Sequence, residues 1–368
     1  MKRLFTLLSV TMIVNFAISS IVSAEERVSA KTSEQDGKKK EDVASTVKTV
    51  REYVKTEISN IFSDASKEYK REISKEFKVS SSPTLSISNE FGNIRVVEGD
   101  VPEIIFKIAI TGKGKNEEAA RKYAESVDVE FKQNGNSISA QTIFEKIQCR
   151  NCGRNVDYEV TVPKDTRQVL QNKFGHINVH NTGEPLEVRL EFGNLYANEI
   201  SEADINIQYG EATINKCGNM KIKSSFSKYK LGEIGSLSGS ISYDGFDIEE
   251  LGRVDVVSDF SNVDIENLKD SFSASKFTYG SLKIGAIDNH FSKIKVTASF
   301  SKIKIALTDK HNFKVTLYNS FGSIKTGDIV FYEKSMDKKD VIVGVAGKIK
   351  DPLATVDISN EFGSIVLQ

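Results

Sequence analysis

Three sets of residues have the types and spacing to carry chemistry. Cys149 and Cys152 stand in Cys-Arg-Asn-Cys-Gly between two strand-like runs, while Cys217 is alone. A zinc site needs two further ligands at suitable spacing, and His176, His180, His290 and His311 supply none nearby. The pair therefore forms either a local loop disulfide, which an oxidising compartment would favour, or two plain thiols. The histidines are too dispersed for a nucleophile and base, and no Gly-x-Ser-x-Gly is present. Gly344-Val-Ala-Gly347-Lys348 has the lysine of a phosphate loop but lacks its spacing and the following Ser or Thr, so it reads as a turn.

The third set is a column of charges. Lys230, Asp247, Asp264, Lys283, Lys304 and Lys325 each lie four residues after an aromatic residue. If successive units stack, Asp247 and Asp264 become neighbours flanked by Lys230 and Lys283, an arrangement that could take a cation or a sugar. The plainer reading is a solvated face in which opposite charges on adjacent strands offset the like pair, each contact contributing a few tenths to about 1 kcal/mol. Lys283, Lys304 and Lys325, joined by Lys302, make a basic stripe suited to an acidic polysaccharide; lysines also discourage edge-to-edge aggregation. Coiled β enzymes that cleave polysaccharides depend on placed carboxylates, so these aspartates carry the enzymatic alternative. The sequence presents no cofactor motif.

What would hold the column in place is a repeat. The unit is aromatic-[Gly/Ser/Asp]-x-apolar-x-apolar, as in Phe192-Gly-Asn-Leu-Tyr-Ala, Phe260-Ser-Asn-Val-Asp-Ile and Phe300-Ser-Lys-Ile-Lys-Ile. Copies start at Phe174, Phe192, Tyr209, Phe226, Tyr243, Phe260, Tyr279, Phe300, Phe321 and Phe362, in steps of 17 to 21 residues and a last step of 41. An outlying copy begins at Phe91, and its context Ile87-Ser-Asn-Glu-Phe-Gly recurs from Ile358. Alternating runs on both sides of each aromatic predict two short strands per unit. One unit cannot bury its apolar face, whereas stacked units share a core. The expectation is an all-β protein, a parallel β-solenoid of about 17–21-residue repeats over 164–368. The aromatics would form an interior ladder, and the small residue after each would take the turn geometry. A β-sandwich has similar strand lengths, but the aromatic recurs once per two strands at near-constant phase, with few hairpin signals between units.

Before the repeats, Lys2-Arg3, an apolar run and Val22-Ser-Ala24 predict a signal peptide over 1–24, with an uncleaved anchor as the competing reading. Residues 25–40 read as a flexible leader. Apolar residues in steps of three and four, among them Val43, Val47, Tyr69, Ile73 and Phe77, predict an amphipathic helix over 41–78 that packs on the next domain or pairs as a coiled coil. Residues 84–163 mix strand runs with a helix started by Asn116 and a hairpin at Asn134-Gly-Asn136, giving a small α+β N-terminal cap. Beyond residue 24 no integral membrane span is expected. With 50 basic against 51 acidic residues, no net field gathers nucleic acid. Hydrophobic residues at 39% suffice for a real core; 21 phenylalanines and no tryptophan assign its stacking to Phe and Tyr.

The phased units, the opening run Leu85-Ser-Ile-Ser-Asn-Glu-Phe-Gly and the 116–126 helix with its hairpin resemble the putative-adhesin family of bacterial exported β-solenoid proteins, over about residues 84–368. The resemblance implies a solenoid fold and a cell-envelope or surface location, and supplies no ligand or functional residue. The expected function is a non-catalytic, adhesin-like binding or scaffolding protein, exported to periplasm, cell surface or medium, whose partner is an envelope protein or a glycan. An envelope-stress or signalling accessory protein is the alternative, with a polysaccharide-degrading enzyme behind it.

Overall fold

The computed structural model describes residues 67–149 and 151–368. Strands dominate these residues, and one helix, Glu117–Glu125, accompanies them. The expected signal peptide, the expected leader and the first part of the expected helix, residues 41–66, lie outside the described residues.

The strands Asn194–Gln208, Glu211–Ser225, Lys228–Ser242 and Gly245–Asp259 follow one another with two residues between them, yet each pairs in parallel with the next. A parallel partner ordinarily needs a crossover of a dozen residues or more. Here the strand itself supplies the crossover by bending, so the chain lies beside itself again after 17 residues, as Asn194 beside Glu211 and Glu211 beside Lys228. Pairing lapses at the bends, for example at Asn198 and Ser201. Glycines recur there: a Cβ on Gly235 would run into the carbonyl oxygen of Gly218, and one on Gly252 into that of Gly235. Inward residues such as Leu195, Ala197, Ile200, Ile205 and Ile207 join one continuous buried cluster running from Leu85 to Leu367.

The aromatic column is real, but it stands at the outer corner of each unit rather than inside. From Phe91 to Phe362, all eleven aromatics adopt φ between 51° and 61°. Most rings from Tyr209 onward are 41–50% exposed, stacked on their neighbours at 4.7–5.2 Å. The expectation of an interior ladder, with turn geometry on the following residue, is thereby corrected twice. The left-handed conformation belongs to the aromatic itself. The residue after it points inward: a Cβ on Gly193 would meet the carbonyl oxygen of Gly175, and Ser227, Asp244, Ser261 and Ser301 at this position are buried.

Irregular spacing has local causes. The 19-residue step from Phe260 to Tyr279 contains two register shifts opposite Leu251–Arg253 and Val256–Val257. The 41-residue step reflects an insertion. Strand Ala354–Glu361 lies between Lys293–Ser299 and Phe313–Ser320, so Phe362 stacks between Phe300 and Phe321. The outlying Phe91 simply stacks on Phe174 at 5.2 Å.

Upstream, Lys67–Lys78 is a strand antiparallel to Glu103–Gly114, which corrects the helix expected to reach residue 78. Steps of four are also multiples of two, so Tyr69, Ile73 and Phe77 share one face of a strand as readily as one of a helix, and here they pack on the core. The helix Glu117–Glu125 starts where Asn116 Oδ1 accepts the Ala119 N–H at 2.9 Å, with Glu117 and Glu118 in its first turn. Gly135, at φ 57°, turns Val127–Asn134 back onto Ser137–Phe144.

Because the corner backbone is left-handed, glycine should outperform alanine there, reversing their order at an ordinary strand position. Phe226→Gly and Phe226→Ala both lose the ring, but alanine keeps a left-handed strain of about 1–2 kcal/mol. Urea unfolding should therefore find Phe226→Ala the less stable by about 1 kcal/mol; equal stabilities would mean that the corner relaxes once the ring is gone.

Candidate functional site

The charged column lies on the face that follows the aromatic corner. Lys230 pairs with Asp247, Asp247 with Asp264, Asp264 with Lys283, and Lys283 with Lys304, residue beside residue on consecutive parallel strands. Lys283 Nζ donates to both carboxylate oxygens of Asp264, at 2.7 and 3.0 Å. Lys325 does not continue the stripe. The inserted C-terminal strand puts Val366 between it and Lys304, so the run of three lysines expected from their spacing is interrupted.

A shallow groove of about 690 Å³ follows this column. Thr213, Lys230, Asp247, Asp264 and Lys283 form one side, and the bend residues Asn215, Gly232, Glu249, Glu266 and Gly285 the other. Gly232 and Gly285 carry no side chain on either side of Glu249 and Glu266, which opens the surface there. At the Asn215 end an amide chain leads in: Asn215 Nδ2 donates to Asn198 Oδ1, and Asn198 Nδ2 to Asn181 Oδ1, both at 2.9 Å. The floor holds buried Leu231 and Ile248. Such a groove offers ammonium and amide donors and carboxylate acceptors along a line, at the strand repeat of about 4.8 Å. Sequence reasoning found the charged side of it but missed the bend side, because an asparagine, two glycines and two glutamates at matching positions look unrelated until the strands are aligned.

Other residues singled out by type have local roles. His176 Nδ1 accepts the Asn194 N–H at 3.2 Å, and buried His311 hydrogen-bonds Thr308 and the Ile287 carbonyl. Among the described residues no group of His, Cys, Asp and Glu is placed to hold a metal ion. The turn expected from Gly344 to Lys348 is corrected: Gly344 to Ala346 belong to the strand Val341–Ala346, and the chain bends only at Gly347 and Lys348, where Lys348 N–H and Ile349 N–H donate to Asn312 Oδ1. Cys149 and Cys152 face each other with Cα atoms 5.7 Å apart, a separation a disulfide spans. Cys217 is buried, and burial pushes its thiol up to about 12, which leaves it inert. No described helix is long and apolar enough to cross a membrane.

No protein-family model matches the chain, and no curated protein matches it. Among solved structures it is similar to a putative cell adhesion protein from Clostridium sporogenes, with 8% identity over 81% of this chain and 99% of that one, TM-score 0.21. It is also similar to a putative adhesin from Bacteroides fragilis (10% identity, 81% and 97% covered, TM-score 0.36). A third is a putative lipid binding protein from Parabacteroides distasonis (13% identity, 81% and 97% covered, TM-score 0.25). At these TM-scores the likenesses carry no argument about site or activity.

One carboxyl among the repeats is buried. Asp244 Oδ1 accepts the Ser227 N–H at 2.7 Å and Oδ2 the Ser242 N–H at 2.9 Å, while its own N–H donates to Ser261 Oγ. Burial outweighs these bonds and raises its pKa from the ordinary 3.8 to about 6. The unfolded chain then releases this proton first, so the carboxyl's contribution to stability falls as pH rises from about 4 to about 6. Asp244→Ser copies the residue found one unit away on either side. Across that window the unfolding midpoint of Asp244→Ser should rise relative to wild type; a difference independent of pH would show that this carboxyl does not titrate there.

Proposed function

We propose that this protein is an exported, non-catalytic, adhesin-like binding or scaffolding protein of the bacterial cell envelope, built as a parallel β-solenoid that presents its groove to an extended glycan. The observation that carries this reading is the in-register return of the chain every 17 residues, which converts scattered polar residues into straight outward rows. A linear polymer of sugars matches rows of donors and acceptors better than a compact ligand does. Lys230 and Asn215 would donate to hydroxyl or carboxyl oxygens, and Asp247 and Glu249 would accept from hydroxyls. Asp264 is already held by Lys283 and serves to keep that lysine in place. Export is supported by the basic, apolar and small-residue succession over 1–24, and the envelope assignment by the resemblance of the repeated units.

The binding test is a glycan array probed with the mature chain, beside a pull-down against envelope proteins. A glycan that binds should lose about tenfold in affinity on Lys230→Ala combined with Asp247→Ala, roughly 1.4 kcal/mol, with the unfolding midpoint little changed. Turnover of a polysaccharide, abolished by changing one carboxylate, would establish an enzyme instead. A defined protein partner without glycan affinity would support the envelope-stress or signalling role.

The same export reading assigns a disulfide to Cys149 and Cys152. Intact mass of protein recovered from its native compartment should be lower by two hydrogens than after reduction; an unchanged mass would assign two thiols.

A further inference from the structure

Outside the aromatic ladder, exposed rings stand among the described residues at Tyr196, Tyr318 and Tyr332. Tyr196, 43% exposed, differs from the others in two respects. Its hydroxyl accepts a hydrogen bond from Asn194 Nδ2 at 3.1 Å, whereas no described group holds the hydroxyl of Tyr318 or Tyr332. It also stands in the outward row that enters the groove. Tyr196 pairs with Thr213 and Thr213 with Lys230, residue beside residue on consecutive parallel strands. Tyr196 is thus two strand spacings, about 10 Å, upstream of Lys230.

Ring faces matter here. An inner ladder ring has a neighbour stacked on each side at 4.7–5.2 Å, so its faces are closed to a ligand. No ring is stacked on Tyr196. His176 meets it at 6.2 Å, inclined by 61°, and the residues beside it on the adjoining strands, Asn178 and Thr213, have short side chains. The charge of the row changes at the same place. From Arg95 the row runs through Asn178, Tyr196 and Thr213, all uncharged, before Lys230. The amides of Asn181, Asn198 and Asn215 accompany this stretch, linked to one another at 2.9 Å. Beyond Thr213 the groove becomes charged, from Lys230 and Asp247 onward.

We infer that Tyr196, with Asn198 and Asn215, forms a subsite for a neutral sugar unit, from which the glycan continues along the groove towards Lys230. The subsite rests on the reading of the groove as a glycan site. A pyranose complements it on both of its surfaces. Its axial C–H bonds make an apolar, weakly positive face that stacks on the electron-rich face of the Tyr196 ring. Its hydroxyls radiate from the rim, where the carboxamides of Asn198 and Asn215 offer the donor and acceptor positions their mutual hydrogen bond leaves over. The Asn194 bond already orients the ring, so little side-chain freedom is lost on binding. A single sugar on Tyr196 does not reach the charged stretch, so affinity rises with chain length.

The test is titration calorimetry of the full-length mature chain with three uncharged hexasaccharides: cellohexaose, xylohexaose and N-acetylated chitohexaose. At least one should bind, and its disaccharide should bind more weakly. Tyr196→Ala and Tyr196→Leu should each lose about tenfold in affinity for it, while Tyr196→Phe, which keeps the ring, should stay within about threefold of wild type. Urea midpoints should be unchanged, because the side chain is exposed; should Tyr196→Ala prove less stable, the comparison of Leu with Phe decides alone. No binding of any of the three, wild-type affinity in Tyr196→Leu, or indifference to Tyr196→Ala would each overturn the subsite. A glycan from the array that is weakened by Lys230→Ala with Asp247→Ala but not by Tyr196→Ala would remove the subsite and leave the groove reading standing. An array on which no glycan binds would remove both.

Discussion

Everything in the repeat region depends on one backbone decision taken at the aromatic residue. A left-handed conformation costs a residue with a Cβ about 1–2 kcal/mol, and glycine would avoid that cost. The aromatics take it at all eleven corners. What offsets it is stacking: an inner rung has a ring on each face, and aromatic pairs contribute about 0.5–1.5 kcal/mol each beyond their buried area. The compensation is collective, since it exists only when neighbouring corners adopt the same conformation. A single unit would have the strain without the stack, which is why the corner and the parallel register form together.

The corner also explains which parts of the fold could be read in advance. In each unit the buried apolar residues before the aromatic sit at even distances from it, such as Val188 and Leu190 before Phe192, and those after it at odd distances, such as Leu195 and Ala197. A regular strand cannot change parity, so the break had to lie at the aromatic or the next residue. The period, the strand pairs and the stacked column follow from that pattern. Assigning the break to the glycine rather than to the ring was the natural error, because glycine is the usual occupant of positive φ. The change of parity itself does not say which of the two residues bends.

Other features were hidden for different reasons. Tyr69, Ile73 and Phe77 fit helix and strand equally, and pairing with Glu103–Gly114 decides between them through contacts distant in sequence, such as Tyr69 with Gly112 and Phe77 with Ile104. The order of the last rungs is a matter of topology: the tail strand inserts between two earlier units, and spacing along the chain carries no trace of it. That insertion is what removes Lys325 from the lysine stripe, while Lys230, Asp247, Asp264, Lys283 and Lys304 keep the order their spacing implied. The groove's bend side was similarly obscured, since Gly232 and Gly285 contribute by having no side chain.

The insertion of the tail also settles a mechanical problem of any stacked sheet. A terminal strand normally has one neighbour and is the first to open. Here Ala354–Glu361 has a strand on each side, and Asn360 Nδ2 donates to the Ser301 carbonyl, so the C-terminal strand is held within the stack. The edge left over belongs to Phe313–Lys325, an internal segment that cannot fray from a free end. The hairpin Phe331–Lys338 and Val341–Ala346 covers the first part of that edge and bears exposed Glu333, Lys334, Asp337 and Lys338, charges that oppose uncontrolled pairing. At the other end the charged strand Lys67–Lys78 covers Glu103–Gly114 in the same way. Protection is thus extensive at one end and stops at Phe321 at the other. Ladder length is therefore set by the covers rather than by the repeat, whose geometry would accept another rung wherever an aromatic face, an N–H and a strand edge are left together.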